Sequence, residues 1–120
     1  MKTITKQMVL AEHLNRHGTL FGGQMMSWMD LAAAICASEI MNMDCVTVSV
    51  DRIEFKLPVH IGDIVTFEVE ESHRGRTSLT VSVLVYKSNL NVKNVEVAKS
   101  NFKFVAIDSE GTPSDEWNKK

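Results

Sequence analysis

The longest hydrophobic block of the chain lies between Met25 and Met41 and follows the glycine pair Gly22-Gly23. The block is too long for a typical strand and consists mainly of good helix formers, so it predicts a helix of about five turns. Its apolar residues occupy nearly the whole circumference, and such a helix is normally buried on most sides. Asp30 lies near the middle of the block, where a carboxylate is costly unless its charge is satisfied.

From Val46 onward, hydrophobic and polar positions alternate, as they do in strands with one buried face. The alternation predicts four strands, at 46–57, 65–69, 79–85 and 95–104. In the first strand the phase changes after Val50, which indicates a β-bulge or a bend, and a second phase change precedes Phe102. One long helix followed by four strands predicts an α+β fold, in which an antiparallel sheet wraps a single central helix.

The size and composition are those of one ordinary globular domain, with 120 residues, 44% hydrophobic and 23% charged residues and a net charge of -2. The bulk charge gives no reason to expect a nucleic-acid partner. The longest apolar block is shorter than the roughly 20 residues that cross a bilayer, so we expect no membrane span. Residues 1–108 are assigned to the domain, and the polar residues 109–120 to a loose C-terminal tail.

The two cysteines, Cys36 and Cys45, have neither a CxxC spacing nor a histidine-rich neighbourhood. They therefore predict reduced packing thiols and no metal site. The N-terminal segment alternates in polarity and has no long apolar core after its lysines, unlike a signal peptide. Together these features favour a cytoplasmic protein.

Three segments together resemble a known family. They are NRHGTLFGGQMMSWMD from Asn15 to Asp30, TVSVDRIEFKLPVHIGD from Thr47 to Asp63, and GRTS from Gly75 to Ser78. In order and spacing they are similar to the motifs of the hotdog-fold acyl-CoA thioesterases, and they extend over most of the chain.

The resemblance implies a hotdog fold that pairs into homodimers and often assembles further into hexamers, as trimers of dimers. It also implies hydrolysis of acyl-CoA at sites between two subunits, with coenzyme A present only as part of the substrate and product and no further cofactor. In that family the acid matched by Asp30 is catalytic in many members. In other members an Asp or Asn takes part at the position of Thr19, so this chain departs from them there.

Three residues are the candidates for catalysis. Asp30 is the candidate general base or nucleophile. The N-H of Gly23, at the start of the helix, is the candidate oxyanion donor, and Gly22 beside it is a candidate substrate contact. Asn15 is suited to hold a carbonyl or the attacking water. The alternatives are a structural Asp30 paired with Arg52 or bonded to the backbone, a tight turn at the glycines, and a turn role for Asn15.

Gly23 and Asp30 are seven residues apart, which is roughly 10 Å along a helix axis. One helix therefore hardly brings both groups to one thioester. We expect a composite site in which Asp30 of one subunit meets Gly23 and Asn15 of the other.

The segment HRGRTS is the candidate site for the phosphates of coenzyme A. In an extended chain Arg74 and Arg76 face one side, and guanidinium groups suit phosphate. Thr77 and Ser78 add hydroxyl groups to the same segment. The alternative is a solvated hairpin turn whose charges serve solubility.

These residues predict an acyl-CoA thioesterase. One rival hypothesis is a non-catalytic acyl-CoA sensor on the same fold, although the residues before His13 are too few for a helix-turn-helix. Another is a hydratase or dehydratase acting on acyl thioesters, which needs a well-placed histidine that no obvious motif supplies. The pattern does not predict the length of the acyl chain.

Overall fold

The computed structural model describes residues 2–119 of the chain. Within that range, six strands are built around one long helix. In chain order the elements are β1 (Lys2–Met8), a 3-10 helix (Ala11–His13), α1 (Gly22–Met41), β2 (Cys45–Val50), β3 (Glu54–Phe55), β4 (Ile64–Arg74), β5 (Ser78–Ser88), β6 (Val95–Ala106) and a second 3-10 helix (Glu116–Asn118).

The strands form one antiparallel sheet in the order β1-β4-β5-β6-β2, and β3 pairs with β6 beyond the end of β2. The long strands β4, β5 and β6 alternate between buried and more exposed residues and turn their buried face toward α1. Helix and sheet together supply the largest fully buried side chains, which include Met29, Met41, Phe67, Leu79, Phe102 and Phe104. The predicted α+β hotdog architecture, one long central helix wrapped by an antiparallel sheet, is confirmed.

Local interactions explain where α1 begins and where it ends. Phe21 precedes the helix in an extended conformation, and its carbonyl accepts the first two N-H groups of the helical ladder at 3.0 and 3.1 Å. The helix stops at Asn42, which adopts the left-handed conformation with φ of 52° and donates its N-H to the Ser38 carbonyl at 2.8 Å. Asparagine tolerates this conformation better than most residues, so it ends the helix at little cost.

Only one side of α1 is buried in the single chain, so the expectation of burial on most sides is wrong for it. On the other side Met26, Leu31 and Ile35 are 46%, 55% and 39% exposed. The neighbouring edge strand β2 is exposed as well, with its three valines 40–50% accessible. The reason is geometric, because one sheet covers only one side of a helix.

Both predicted phase changes correspond to irregular pairing. The predicted strand at 46–57 is divided into β2 and β3, which both pair with β6, and the chain leaves the ladder between them. In β6, the neighbours Val97 and Ala98 are both buried, at the point where the register with β5 shifts between Val85 and Tyr86.

The sequence pattern does not predict β1, and its orientation explains why. The inward side of this edge strand carries polar residues such as Thr3, which is 9% exposed, whereas Ile4 and Met8 point outward and are 56% and 54% exposed. In β1 the apolar residues therefore lie on the exposed face and the polar residues on the buried face, which is the reverse of the usual pattern.

The residues after β6 pack back onto the domain. Ile107 pairs with Pro113, the Ser114 N-H donates to the Ala106 carbonyl at 2.9 Å, and Trp117 is only 6% exposed. The expectation of a loose tail does not hold for this stretch, because Trp117 adds apolar surface that the polar composition conceals. The domain boundary after residue 108 stays a prediction.

Replacing Trp117 by Ala is expected to lower the free energy of unfolding by about 3 kcal/mol, since it removes a buried indole. Trp117→Phe is the matched variant, because the indole N-H is buried without an acceptor in residues 2–119. It should change stability by less than about 1.5 kcal/mol. Urea unfolding at equal protein concentration checks both, and a Trp117→Ala protein as stable as wild type would show that the segment is loose.

Candidate functional site

Asp30 lies on α1 with a half-buried carboxylate, and Thr47 on β2 holds it. The Thr47 hydroxyl donates to Asp30 Oδ1 at 2.8 Å. Both residues line a cavity of about 260 Å³, which we call the Asp30 cavity; its other lining residues are Gly23, Met26, Ser27, Val50 and Phe102. Arg52, the partner considered for a structural Asp30, pairs instead with Glu54 at 3.4 Å. A carboxylate with one fixed oxygen thus faces a mostly apolar pocket.

Thr47 is the residue that sequence reasoning misses. It is the first residue of one of the three family-like segments, but the alternation along β2 does not show which polar positions face the helix. A register shift between Thr47 and Ser49 in the pairing with β6 obscures this further. Only the tertiary structure brings the Thr47 hydroxyl to Asp30.

The two glycines at the start of α1 have free N-H groups. Within residues 2–119, no acceptor is bonded to the N-H of Gly22 or Gly23, as is usual for the first turn of a helix. A Cβ on Gly23 would lie 2.6 Å from Cε2 of the Phe21 ring, so a side chain there would displace that ring. Phe21 is 56% exposed, so its ring can turn aside, and glycine at position 23 leaves the N-H accessible with the ring where it lies.

Gly22 and Gly23 line different cavities. Gly22 lines a cavity of about 270 Å³ together with Thr19, which precedes α1, and Met25, which lies in its first turns. Residues 55–59 form the opposite wall of this cavity. Gly23 shares the Asp30 cavity with Asp30 itself, although the two residues are seven positions apart. One chain thus brings Gly23 and Asp30 to a common pocket, so the expectation that Gly23 must come from the other subunit does not hold for this glycine.

Asn15 does not line the Asp30 cavity of its own chain. Its Oδ1 accepts the N-H groups of His17 at 2.9 Å and Thr19 at 3.2 Å, and its Nδ2 donates to the Thr19 hydroxyl at 3.0 Å. The turn role considered for Asn15 is therefore present in the single chain, and Thr19 serves as a partner in that turn.

The arginine turn, residues 74–78 between β4 and β5, is closed by a 2.9 Å bond from the Gly75 N-H to the Ser78 carbonyl. A Cβ on Gly75 would overlap the Ser78 hydroxyl, so a side chain there would require that hydroxyl to turn away. Thr77 and Ser78 are half-buried, and the Thr77 carbonyl accepts the Ala106 N-H at 3.1 Å.

The two arginines of this turn have different surroundings. Arg74 donates to both carboxylate oxygens of Glu71 at 2.8 and 2.7 Å, and its guanidinium lies 4.9 Å from the Trp117 ring centroid. These hydrogen bonds hold the pKa of Glu71 below its ordinary value. Arg76 is 82% exposed and is 3.7 Å from Asp115. The Arg76 guanidinium is therefore the more available of the two.

Other classes of site were sought in the same range. No group of three metal-ligating side chains is found in residues 2–119. None of the helices described there is long and apolar enough to span a membrane. Cys36 and Cys45 are both free thiols.

A long helix wrapped by an antiparallel sheet defines a hotdog protein, and in this one a cavity with a carboxylate includes the start of the helix. The family model described as the Thioesterase superfamily matches residues 17–93. The Acyl-CoA thioester hydrolase YciA of Escherichia coli (strain K12) is 32% identical over 114 residues, which cover 92% of this chain and 86% of that protein. The chain belongs to the thioesterase superfamily.

Solved structures agree with the fold. An acyl-CoA hydrolase from Staphylococcus aureus, in complex with butyryl coenzyme A, coenzyme A and coenzyme A disulfide, has a TM-score of 0.89 at 34% identity, covering 94% of this chain and 70% of that one. A hexameric thioesterase from Yersinia pestis has a TM-score of 0.87 at 32% identity, covering 91% and 89%.

Three further structures are alanine variants of the Staphylococcus aureus hydrolase. They replace an asparagine, an aspartate and a threonine, and the asparagine variant is in complex with coenzyme A. By their position numbers, the aspartate follows the asparagine by fifteen residues and the threonine follows the aspartate by seventeen. Asn15, Asp30 and Thr47 repeat both spacings with the same residue types.

Proposed function

We propose that this protein hydrolyses acyl-CoA thioesters to a carboxylic acid and coenzyme A. The observation that carries the proposal is the Asp30 cavity, whose lining includes both the carboxylate held by Thr47 and Gly23, whose N-H has no acceptor within residues 2–119. The names of the relatives support the substrate class, since the Escherichia coli and Staphylococcus aureus proteins are described as acyl-CoA hydrolases.

In the proposed reaction, Asp30 takes a proton from water as the water oxygen bonds to the thioester carbon. The carbonyl oxygen becomes an anion and is stabilised by the N-H of Gly23, which has no competing acceptor. Collapse of this intermediate breaks the carbon-sulfur bond, and the released thiolate of coenzyme A takes up a proton. Thr47 keeps one oxygen of Asp30 fixed throughout, so the other oxygen is directed at the reactants.

Asp30 as nucleophile is the second route for the same pocket. Its carboxylate would attack the thioester carbon, expel the thiolate and leave an anhydride that water then hydrolyses. A single turnover in heavy-oxygen water distinguishes the routes, because only the anhydride route places the label in the Asp30 side chain.

We also propose that the active protein is a homodimer, assembled further into a hexamer. The exposed apolar side chains of α1 and β2 support this, because neighbouring exposed apolar side chains commonly mark a protein–protein interface. The hexameric thioesterase of Yersinia pestis has the same fold. Across such an interface, Asn15 of one subunit complements Asp30 of the other, which accounts for its absence from the Asp30 cavity of its own chain.

For coenzyme A binding, we propose that Arg76 contacts the phosphates together with Thr77 and Ser78. Arg76 is exposed and weakly paired, whereas Arg74 is engaged with Glu71 and Trp117 and supports the turn. Gly22 contributes to substrate binding through the adjoining cavity, whose opposite wall at 55–59 is partly apolar.

The rival functions find less support in this pocket. A hydratase or dehydratase needs a histidine beside its acid, and no histidine within residues 2–119 lines the Asp30 cavity. A sensor has no need for a carboxylate at the point where the thioester binds. We further propose a role in lipid metabolism in the cytoplasm, without a cofactor, which agrees with the free thiols of Cys36 and Cys45.

The purified protein is expected to release free thiol from one or more acyl-CoAs in a panel of chain lengths, measured with a thiol dye. Asp30→Asn should lower kcat by roughly a hundredfold or more, because it keeps the shape and the Thr47 contact but removes the base. Its melting temperature should be equal or higher, since a half-buried charge is costly. If the wild-type protein releases thiol from none of the acyl-CoAs, the proposed hydrolase activity is refuted.

Thr47→Val and Thr47→Ser form a matched pair for the hydrogen bond to Asp30. Valine keeps the shape but not the hydroxyl, so kcat should fall roughly tenfold because the carboxylate is no longer fixed. Serine keeps the donor and should remain within about threefold of wild type. Equal rates for the two variants would show that the hydrogen bond is unimportant.

Arg76→Ala is expected to raise KM for acyl-CoA several-fold with little change in kcat, because contacts far from the thioester contribute uniform binding. The increase should disappear with acyl-pantetheine, which lacks the nucleotide. Arg74→Ala is the control and should mainly lower thermal stability. An equal rise in KM for both substrates would rule out the phosphate contact.

Asp30→Ala and Asn15→Ala chains, each nearly inactive alone, should regain activity when they are unfolded together and refolded as a mixture. Random pairing gives about half mixed dimers with one intact site each, so recovery should approach roughly a quarter of wild type.

Asn15→Asp is the matched variant for this mixture. It retains the oxygen that accepts the N-H groups of His17 and Thr19, but it removes the amide donor. If mixtures with either Asn15 variant show only the average of their parents, the site is not composite.

A further inference from the structure

Ser27 lies between the two groups that the proposed reaction needs. It is four residues after Gly23 and three before Asp30, so all three face the same side of α1. Along the helix axis it is about 6 Å from Gly23 and about 4.5 Å from Asp30. All three residues line the Asp30 cavity, which places the Ser27 hydroxyl beside the path from oxyanion donor to carboxylate.

The Ser27 hydroxyl is uncommitted. Ser27 is an exposed residue, and its hydroxyl makes no hydrogen bond to another protein group within residues 2–119, although serine in a helix often bonds back to a carbonyl of the preceding turn. The other hydroxyl of the cavity, on Thr47, is engaged with Asp30 Oδ1. The remaining side chains of the lining, from Met26, Val50 and Phe102, are apolar.

The partner that fits between Ser27 and Asp30 is a water molecule. No donor of the described residues is bonded to Asp30 Oδ2, so this oxygen is free to accept a proton from water. A water that donates one hydrogen to Oδ2 and the other to the Ser27 hydroxyl oxygen has its lone pairs left for the thioester carbon. The side chains of Met26, Val50 and Phe102 offer this water no hydrogen bond, so Oδ2 and the Ser27 hydroxyl are the two side-chain acceptors beside it that make no other bond in the described residues.

We infer that Ser27 is a further positioning residue, which orients the water that attacks the acyl group in concert with Asp30. The inference rests on the proposed hydrolase function and concerns the same cavity. The proton still goes to Asp30, and Ser27 exchanges no proton; it acts as a hydrogen-bond acceptor that removes the rotational freedom of the water.

The test uses the full-length protein and Ser27→Thr paired with Ser27→Val, which have nearly the same shape and differ in the hydroxyl. Ser27→Val should lower kcat roughly tenfold with KM within about twofold, and Ser27→Thr should keep most of the rate. Because both side chains are β-branched, they affect the helix alike, and their melting temperatures should agree.

The second measurement is the coupling to Asp30. In an Asp30→Asn background the oriented water has lost its base, so adding Ser27→Val should cause little further loss of kcat. Equal kcat for Ser27→Thr and Ser27→Val, or the full loss in both backgrounds, would overturn the inference while wild type remains a hydrolase. Absence of thiol release by wild type would overturn the proposed function itself, and the inference with it.

Discussion

One antiparallel sheet covers only one side of α1, although the helix is apolar nearly all around, and the rest of the structure depends on this constraint. On the covered side, residues such as Met29 and Met41 form the core with β4, β5 and β6. On the uncovered side, Met26, Leu31 and Ile35 remain exposed beside β2. The carboxylate of Asp30 lies at this second side, so the hydrophobic effect that favours association also removes water from the site.

Two features of the Asp30 cavity bear on the proposed chemistry. The Thr47 hydroxyl fixes one oxygen of Asp30, and the ring of Phe21 occupies the space where a side chain at Gly23 would lie. Both contacts form when the domain folds, before a substrate arrives. In the proposed reaction, Asp30 is therefore held in place by Thr47 before the substrate binds.

The sequence predicts the elements that depend on strong local patterns. The long apolar block predicts α1 although Ser27 and Asp30 interrupt it, and the phase changes mark the irregular pairing of β2 and β6. It does not predict β1, whose inward residues are polar, or the packing of Trp117 within a polar segment. Secondary-structure propensity and the period of the hydrophobic pattern carry no information about contacts between distant segments of the chain.

The same distinction applies to the candidate site. Asp30 is recognisable because a carboxylate in an apolar helix is unusual, and Gly23 because it stands at a helix start. Thr47 is not recognisable, since its importance comes from a contact across seventeen residues of sequence. The sequence does not distinguish Arg74 from Arg76. In the folded chain they differ, because Arg74 donates two hydrogen bonds to Glu71.

Thr47 belongs to β2, an edge strand that has a sheet neighbour on one side only within the chain. An edge strand makes fewer hydrogen bonds than a central one and is therefore less stable. In the proposed dimer the exposed valines of β2 pack against the partner subunit. Association therefore steadies the strand that orients the Asp30 carboxylate. In the proposed dimer, the turnover of each chain would therefore depend on the enzyme concentration, because dilution favours dissociation.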